Sequence, residues 1–360
     1  MSFRTKKNLI IHDYFENFGG GERLIKVLYD TRNFNLIYGF DENNLINKIN
    51  LNKNSLKLIQ NNLPTIVKKF LLIRRFKNLY VEKNFKNCFF SGNYSIFSNV
   101  PKNCKKIFYC HSLPKIFFEF EKFYKPRNLI KKIISILFQK KFKKEYIKKI
   151  KSMDTLICNS LNIKKKIKKL TNLNAEVIYP PIETKKFRWI SQKKYFVSNN
   201  RHEVGKNLEK IINVFKLFTN INIYFTSHGS QTTYLKKISR NYNNIIFTGY
   251  LSDQKYAKII GNCCATINIT SNEDFGMAAL EGLSAGKPAI VINEGGYLET
   301  IKNDTNGFIL NKNKIEKELT MLLQSLDLKK IKSMKLDCIK STKKYNKEIF
   351  AKKIKNLLHK

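Results

Sequence analysis

Toward the last third of the chain lies Glu273-Asp274-Phe275-Gly276-Met277-Ala278-Ala279-Leu280-Glu281, followed by Gly282-Leu283-Ser284-Ala285-Gly286-Lys287-Pro288. The apolar run 265–269 before it reads as a strand, and 277–285 as a helix that Gly286 and Pro288 stop. Glu273 then falls in a loop at a strand's carboxyl end, and Glu281 about one turn inside the helix. The backbone N–H groups of Phe275, Gly276 and Met277 are donors at a helix start, expected to lie open to a hydroxyl or phosphate oxygen. Each carboxylate can accept two hydrogen bonds from a vicinal diol, so the pair suits the hydroxyls of a sugar nucleotide. Taken alone, it reads as well as two surface glutamates on a helix.

Three further groups could work with it. Arg201 and Lys206, in Asn199-Asn200-Arg201-His202-Glu203-Val204-Gly205-Lys206-Asn207, leave a strand's end and enter a helix N-terminus. That place is electropositive, and two cations there would neutralise a diphosphate and stabilise charge that grows on it as a bond breaks. His202 and Glu203 between them read as plain loop residues. Gly19, Gly20 and Gly21, in His12-Asp13-Tyr14-Phe15-Glu16-Asn17-Phe18-Gly19-Gly20-Gly21-Glu22-Arg23, let backbone approach a phosphate or an acceptor closely, or simply make a tight turn. His111 follows another strand in Tyr109-Cys110-His111-Ser112-Leu113-Pro114, where a lone histidine is more often structural than catalytic.

The elements that must hold these residues alternate between strand and helix from end to end, the pattern of parallel α/β domains. Residues 9–14 read as a first strand, 22–29 as a helix, and 107–110 and 155–158 as later strands. Ile178-Tyr179-Pro180-Pro181 closes the first half, and 180–193 is the candidate linker. A second series follows: strand 195–198, helix 207–218, strands 223–226, 245–247 and 265–269, helix 277–285, and strands 289–292 and 307–310. Helix 207–218 carries Leu208, Ile211, Ile212, Phe215 and Phe218 on one stripe. The last helix, 345–358, does the same with Ile349, Phe350, Ile354 and Leu357. Domain bounds of 1–182 and 183–342 follow, with 343–360 assigned back to the first. Two such domains would leave a ligand cleft where both sheets present their carboxyl ends.

The stretch EDFGMAALEGLSAGKPAIVINEGG, with seven residues between Glu273 and Glu281, resembles the signature of glycosyltransferase family 4, a group with the GT-B fold. The resemblance covers nearly the whole chain and is strongest over 195–310. It implies an α/β fold of two facing Rossmann-like domains with a cleft between them. It implies that Glu281 binds the donor's ribose diol, while Glu273 and the backbone at Phe275, Gly276 and Met277 hold the hexose. Arg201 and Lys206 match the family's cations at this strand-to-helix loop, and the wording around Gly19–Gly21 resembles the family's opening. His111 matches a His-x-x-Pro segment whose histidine reaches the donor hexose near the reacting carbon. Thr248-Gly249-Tyr250 matches the stretch that lines the nucleotide base. His228-Gly229-Ser230 departs from the family, which has an acidic residue and a proline around that glycine. The implied activity is retaining transfer of a hexose from a nucleotide-diphosphate sugar to a glycan or lipid-linked acceptor. HDYFENFGGGER, YCHSLP and IYPPIE look most like mannosyltransferases of surface-polysaccharide assembly, hence GDP-mannose as the expected donor. No cofactor or metal is expected, since Arg201 and Lys206 fill a cation's role.

Composition sets the frame. The 360 residues are 42% hydrophobic and 12% aromatic, a globular balance with room for two domains. The formal net charge of +41 favours anionic partners, although lysine in a chain rich in Asn and Ile also suggests compositional bias. Between 122 and 169 there are 17 Lys or Arg against Glu145 and Asp154, a net of +15. Within that stretch, 127–150 alternates apolar and lysine pairs. It is either a core helix with a solvated lysine face or an amphipathic helix in peripheral contact with an anionic membrane. No run is apolar enough to span a bilayer, and the N-terminus lacks a signal peptide's apolar core, so a cytoplasmic, at most peripheral, location is expected. Seven cysteines without a CxxC pair read as free, buried thiols. A nucleic-acid-binding protein is the rival from charge alone, but no reading module or stacking platform accompanies the charge. A sugar-nucleotide hydrolase or epimerase would keep the fold but leave the glycine loop and the His111 segment without an acceptor role.

Overall fold

The computed structural model describes residues 7–359 apart from 17, 32–33, 52, 61, 83, 115–117 and 119–128. The chain divides into two compact units, Met1–Pro181 with Phe350–Lys360, and Ile182–Ile349.

The first unit holds seven strands: β1 (Asn8–His12), β2 (Phe34–Tyr38), β3 (Ser55–Lys57), β4 (Asn87–Ser91), β5 (Lys105–Cys110), β6 (Thr155–Cys158) and β7 (Glu176–Val177). All pairs are parallel, in the order β3-β2-β1-β4-β5-β6-β7. Every residue of β1 and β4 is buried, as a parallel sheet covered on both faces requires. The two faces sort by the strand's period of two. Leu9, Ile11, Phe108 and Cys110 join Leu72 and Phe76 of the helix Thr65–Lys77, while Ile10, Ile107 and Tyr109 join Leu24, Ile25 and Leu28 of the helix Gly20–Asp30.

The helix Lys347–His359 completes that second face with Phe350, Ile354 and Leu357, and Lys105 Nζ donates to its Leu357 carbonyl at 3.2 Å. Ile349 was expected on this stripe but is 40% exposed. The helix Leu129–Lys151 occupies the basic stretch; residues 127 and 128 lie outside the described residues. From residue 139 onward it is a core helix. Phe142, Tyr146 and Ile150, spaced by four, are buried, and Lys140, Lys141, Lys143, Lys144 and Lys148 are exposed on the other side. Among the described residues no helix is long and apolar enough to cross a membrane.

The second unit repeats the plan with β8 (Tyr195–Ser198), β9 (Asn222–Phe225), β10 (Ile245–Phe247), β11 (Ala265–Asn268), β12 (Ala289–Ile292) and β13 (Gly307–Leu310), all parallel, in the order β10-β9-β8-β11-β12-β13. In both sheets the chain reverses its direction of growth once, between β1 and β4 and between β8 and β11. The crevice beyond the strand ends at such a switch point is where open α/β sheets bind ligands. All seven cysteines are free and buried.

Candidate active site

At the β8/β11 switch point two loops are tied together. After β8, Asn207 takes a left-handed conformation (φ 54°) and turns its side chain to the Ile269 carbonyl (2.6 Å) and Ser271 Oγ (2.9 Å). The helix therefore starts at Leu208, not at 207, and ends at Phe215. The Ser271 N–H donates back to the Gly205 carbonyl at 2.9 Å. Across this tie Lys206 Nζ meets Glu273 Oε2 at 3.2 Å, both side chains about four-fifths buried.

Glu273 also accepts from the Gly276 N–H through Oε1 at 3.3 Å, so this N–H, expected open, is engaged. The Glu273 carbonyl accepts from the Gly296 N–H at 2.9 Å. Gly295 and Gly296 are required there, because a Cβ would come within 2.1 Å of the Glu273 carbonyl oxygen and 2.4 Å of the Phe275 Cα. Gly276 has φ +90° and presses on the Tyr297 ring. Phe275 is only 2% exposed, its ring edge-on to Tyr345 at 5.4 Å, so only its backbone is placed to meet a ligand. Met277 opens the helix Met277–Ser284 and is half-buried.

Glu281, one turn on, is buried. Its Oε2 accepts from Tyr256 Oη and from Asn199 Nδ2 at 3.1 Å, and the Asn199 amide also reaches the Ala278 carbonyl at 3.0 Å. A carboxylate held this way keeps a fixed direction. The sequence reading missed Asn199 and Tyr256, which lie 82 and 25 residues from Glu281.

Arg201 stays exposed on the same loop. Its neighbour His202, read as a plain loop residue, is fully buried. It is edge-on to Phe225 and Phe247, bonded to Thr232 Oγ1 at 2.9 Å, and lowered by burial to about 4. Glu203 accepts from the Ser230 hydroxyl at 2.6 Å, so an acidic side chain reaches the 228–230 loop from a different loop. Gly249 takes φ +65°, and Tyr250, 80% exposed, sets its ring against His228 at 3.9 Å with the two planes tilted by 51°.

The first unit builds its own cluster at the β1/β4 switch point. His12 and Ser91 are register partners on β1 and β4, and Ser91 pairs with Tyr109, two residues before His111. One face of the sheet thus carries all three side chains: His12 Nδ1 lies 3.1 Å from Ser91 Oγ, which lies 2.7 Å from His111 Nε2. Burial lowers His12 to about 3, with His111 pushing the same way, and burial lowers His111 to about 4. Asp13 is buried beside them and raised by burial to about 6, against three backbone N–H donors from Asn93, Tyr94 and Ser95.

Gly19 is the cap of the helix Gly20–Asp30, its N–H donating to Glu22 Oε2 at 3.0 Å. The helix begins at Gly20, not at 22, because Glu22 reaches back to close its first turn. Gly20 and Gly21 are therefore helical, and a Cβ on Gly21 would touch the His111 and His12 rings at 3.8 and 3.9 Å. The Asn159 amide fixes the His111 carbonyl at 2.6 Å.

Residues 181–345 match the family model for group 1 glycosyl transferases. The alpha-1,3/1,6-mannosyltransferase ALG2 of Dictyostelium discoideum is 27% identical over 251 residues, 58% of this chain and 59% of that protein. Its mouse counterpart is 23% identical over 177 residues, 41% of this chain and 43% of its own length. The chain thus spans less than two thirds of these curated relatives. Among solved structures, Anabaena HepE in complex with UDP and glucose superposes with a TM-score of 0.75 at 12% identity, covering 98% of this chain and 99% of that one. Sucrose-phosphate synthase of Thermosynechococcus elongatus gives 0.75 at 12% identity, over 98% of each chain. Its second unit thus matches the group 1 glycosyl transferases, and its two parallel sheets have the architecture of these solved structures, the GT-B fold.

Proposed function

We propose that this protein is a retaining hexosyltransferase that moves mannose from GDP-mannose to a glycan or lipid-linked acceptor in polysaccharide assembly. The observation that carries the reading is the pairing of Lys206 with Glu273 beside a buried, bonded Glu281 at one strand-end crevice. Those groups match a donor's parts. Glu281 takes the ribose diol, Glu273 and the 275–277 backbone take the hexose, and Lys206 with Arg201 takes the diphosphate.

The same cations assist departure, because the diphosphate gains charge as the glycosidic bond breaks and fixed positive groups act most strongly on that gain. Glu273 is engaged by Lys206 and Gly276, which suits orientation more than covalent attack. Acceptor attack from the face the nucleotide leaves, through an oxocarbenium-like state, then gives retention. His111 serves the hexose near the reacting carbon, and Tyr250 with Gly249 serves the base. The mannosyltransferase relatives favour mannose, whereas HepE was solved with UDP and glucose, so the donor must be tested directly.

Thermal unfolding of the protein with a panel of GDP-, UDP- and ADP-sugars is that test. A donor at a hundred times its dissociation constant stabilises by about 2.7 kcal/mol, and GDP-mannose is expected to give the largest rise. Stabilisation by another nucleotide sugar alone would replace the donor, and none by any would remove the transferase reading.

A further inference from the structure

The His12–Ser91–His111 chain has a directionality that follows from counting protons. A serine hydroxyl has one proton, so between two neutral imidazoles it donates to one ring and accepts from the other. Both rings are neutral at pH 7, since burial holds them near 3 and 4. Two arrangements remain, and two observations choose between them.

The first is length. The 2.7 Å contact to His111 Nε2 has the span of an O–H donor, and the 3.1 Å contact to His12 Nδ1 that of an N–H donor. The second is the far side of His12, whose Nε2 is buried with no hydrogen-bond partner among the described residues. A proton there would be an orphaned donor, which is rarer in folded proteins than an under-satisfied acceptor. His12 therefore carries its proton on Nδ1 and gives it to Ser91 Oγ, and Ser91 donates to His111 Nε2.

We propose that Ser91, backed by His12, is the positioning residue of His111, fixing its ring as the Nδ1–H tautomer. With Nε2 occupied by the serine proton, His111 has no base to offer. Its free nitrogen is a neutral N–H donor, suited to an oxygen of the sugar or its leaving diphosphate rather than to proton abstraction. The consequence for transfer rests on the proposed function; the tautomer does not.

Long-range nitrogen–proton NMR of histidine-labelled protein reads the tautomer directly, His111→Gln identifying the signal. The wild type should show His111 neutral and protonated on Nδ1 at pH 7, and this needs no variant to fold. Ser91→Ala should release the ring toward the Nε2–H form that free imidazole side chains prefer, and Ser91→Thr, keeping the hydroxyl, should restore Nδ1–H. Turnover should follow, falling about tenfold in Ser91→Ala, the worth of one neutral hydrogen bond, with the donor's KM little changed. A wild-type His111 protonated on Nε2, or one whose tautomer ignores Ser91→Ala, overturns the proposal. A tautomer that obeys Ser91 in a protein that transfers no sugar sustains it and rejects only the transferase reading.

Discussion

Beyond β1 and β4 the first unit gathers His12, Ser91 and His111, two rings and a hydroxyl that burial keeps uncharged at neutral pH. Beyond β8 and β11, the matching place in the second sheet, Lys206 pairs with Glu273, and Glu281 is held by Asn199 and Tyr256, a cluster of acidic and basic side chains. Equivalent topology has been filled with opposite chemistry. A switch point supplies a crevice and strand ends, and the residues at those ends and in the loops and helix that follow decide whether the crevice handles charge. On the proposed reading, the acidic and basic crevice meets the donor's diphosphate. The neutral one is equipped to point a donor without carrying a charge that would compete for it.

The difference can be tested from its charged side first. Lys206→Ala should cost about 10²–10³ in turnover, the effect of removing one preorganised stabilising group, and should raise the donor's apparent Michaelis constant less. Steady-state kinetics reads both, and a change confined to the Michaelis constant would make Lys206 a clamp with no part in the leaving-group chemistry. Arg201→Lys should lose activity as well, since an ammonium cannot reproduce a planar fork.

Glu281→Gln should weaken donor binding by about 1.5–3 kcal/mol, measured by calorimetry, because a charge-assisted pair to the ribose diol is lost. Unchanged affinity would leave Glu281 as a structural partner of Asn199 and Tyr256 alone.

The smallest effect belongs to the neutral side and appears in stability. His111 sits at about 4 in the folded protein against an ordinary 6.5, so the unfolded chain takes up the proton first as pH falls. The share of stability that rests on this neutral ring is thus full above about pH 6.5 and is lost on the way down to about 4. His111→Gln should escape that share, roughly 1 kcal/mol between pH 7 and 5 for a ring partly open to solvent. Parallel denaturant titrations of the two proteins at both pH values would show it, and equal losses would mean that the ring is not held neutral.

How much of this could be read from the chain alone follows from distance along it. The strands of the second unit are short, largely apolar runs between loops, and their expected bounds fall within a residue of those found. β2, β3, β4 and β7 escaped; Ser55–Lys57 is a short, half-exposed edge, Asn87–Ser91 has polar residues at both ends, and Glu176–Val177 is only two residues long. Glu273, Glu281 and Lys206 were marked by local wording. Their partners were not, because Asn199 with Glu281 and His12 with Ser91 meet only through sheet register, 82 and 79 residues apart. The helix that starts at Gly20 was hidden by its own glycines. Its signal was Glu22, three positions after Gly19.

The seven buried thiols, four in the first unit and three in the second, give the molecule a silent background toward maleimides and other thiol reagents. A cysteine placed anywhere on the surface would be the reactive one, so a fluorophore or spin label can be attached at a chosen loop without first deleting native residues. The same seven side chains act as internal alarms, since each becomes modifiable only when the sheet or helix around it opens.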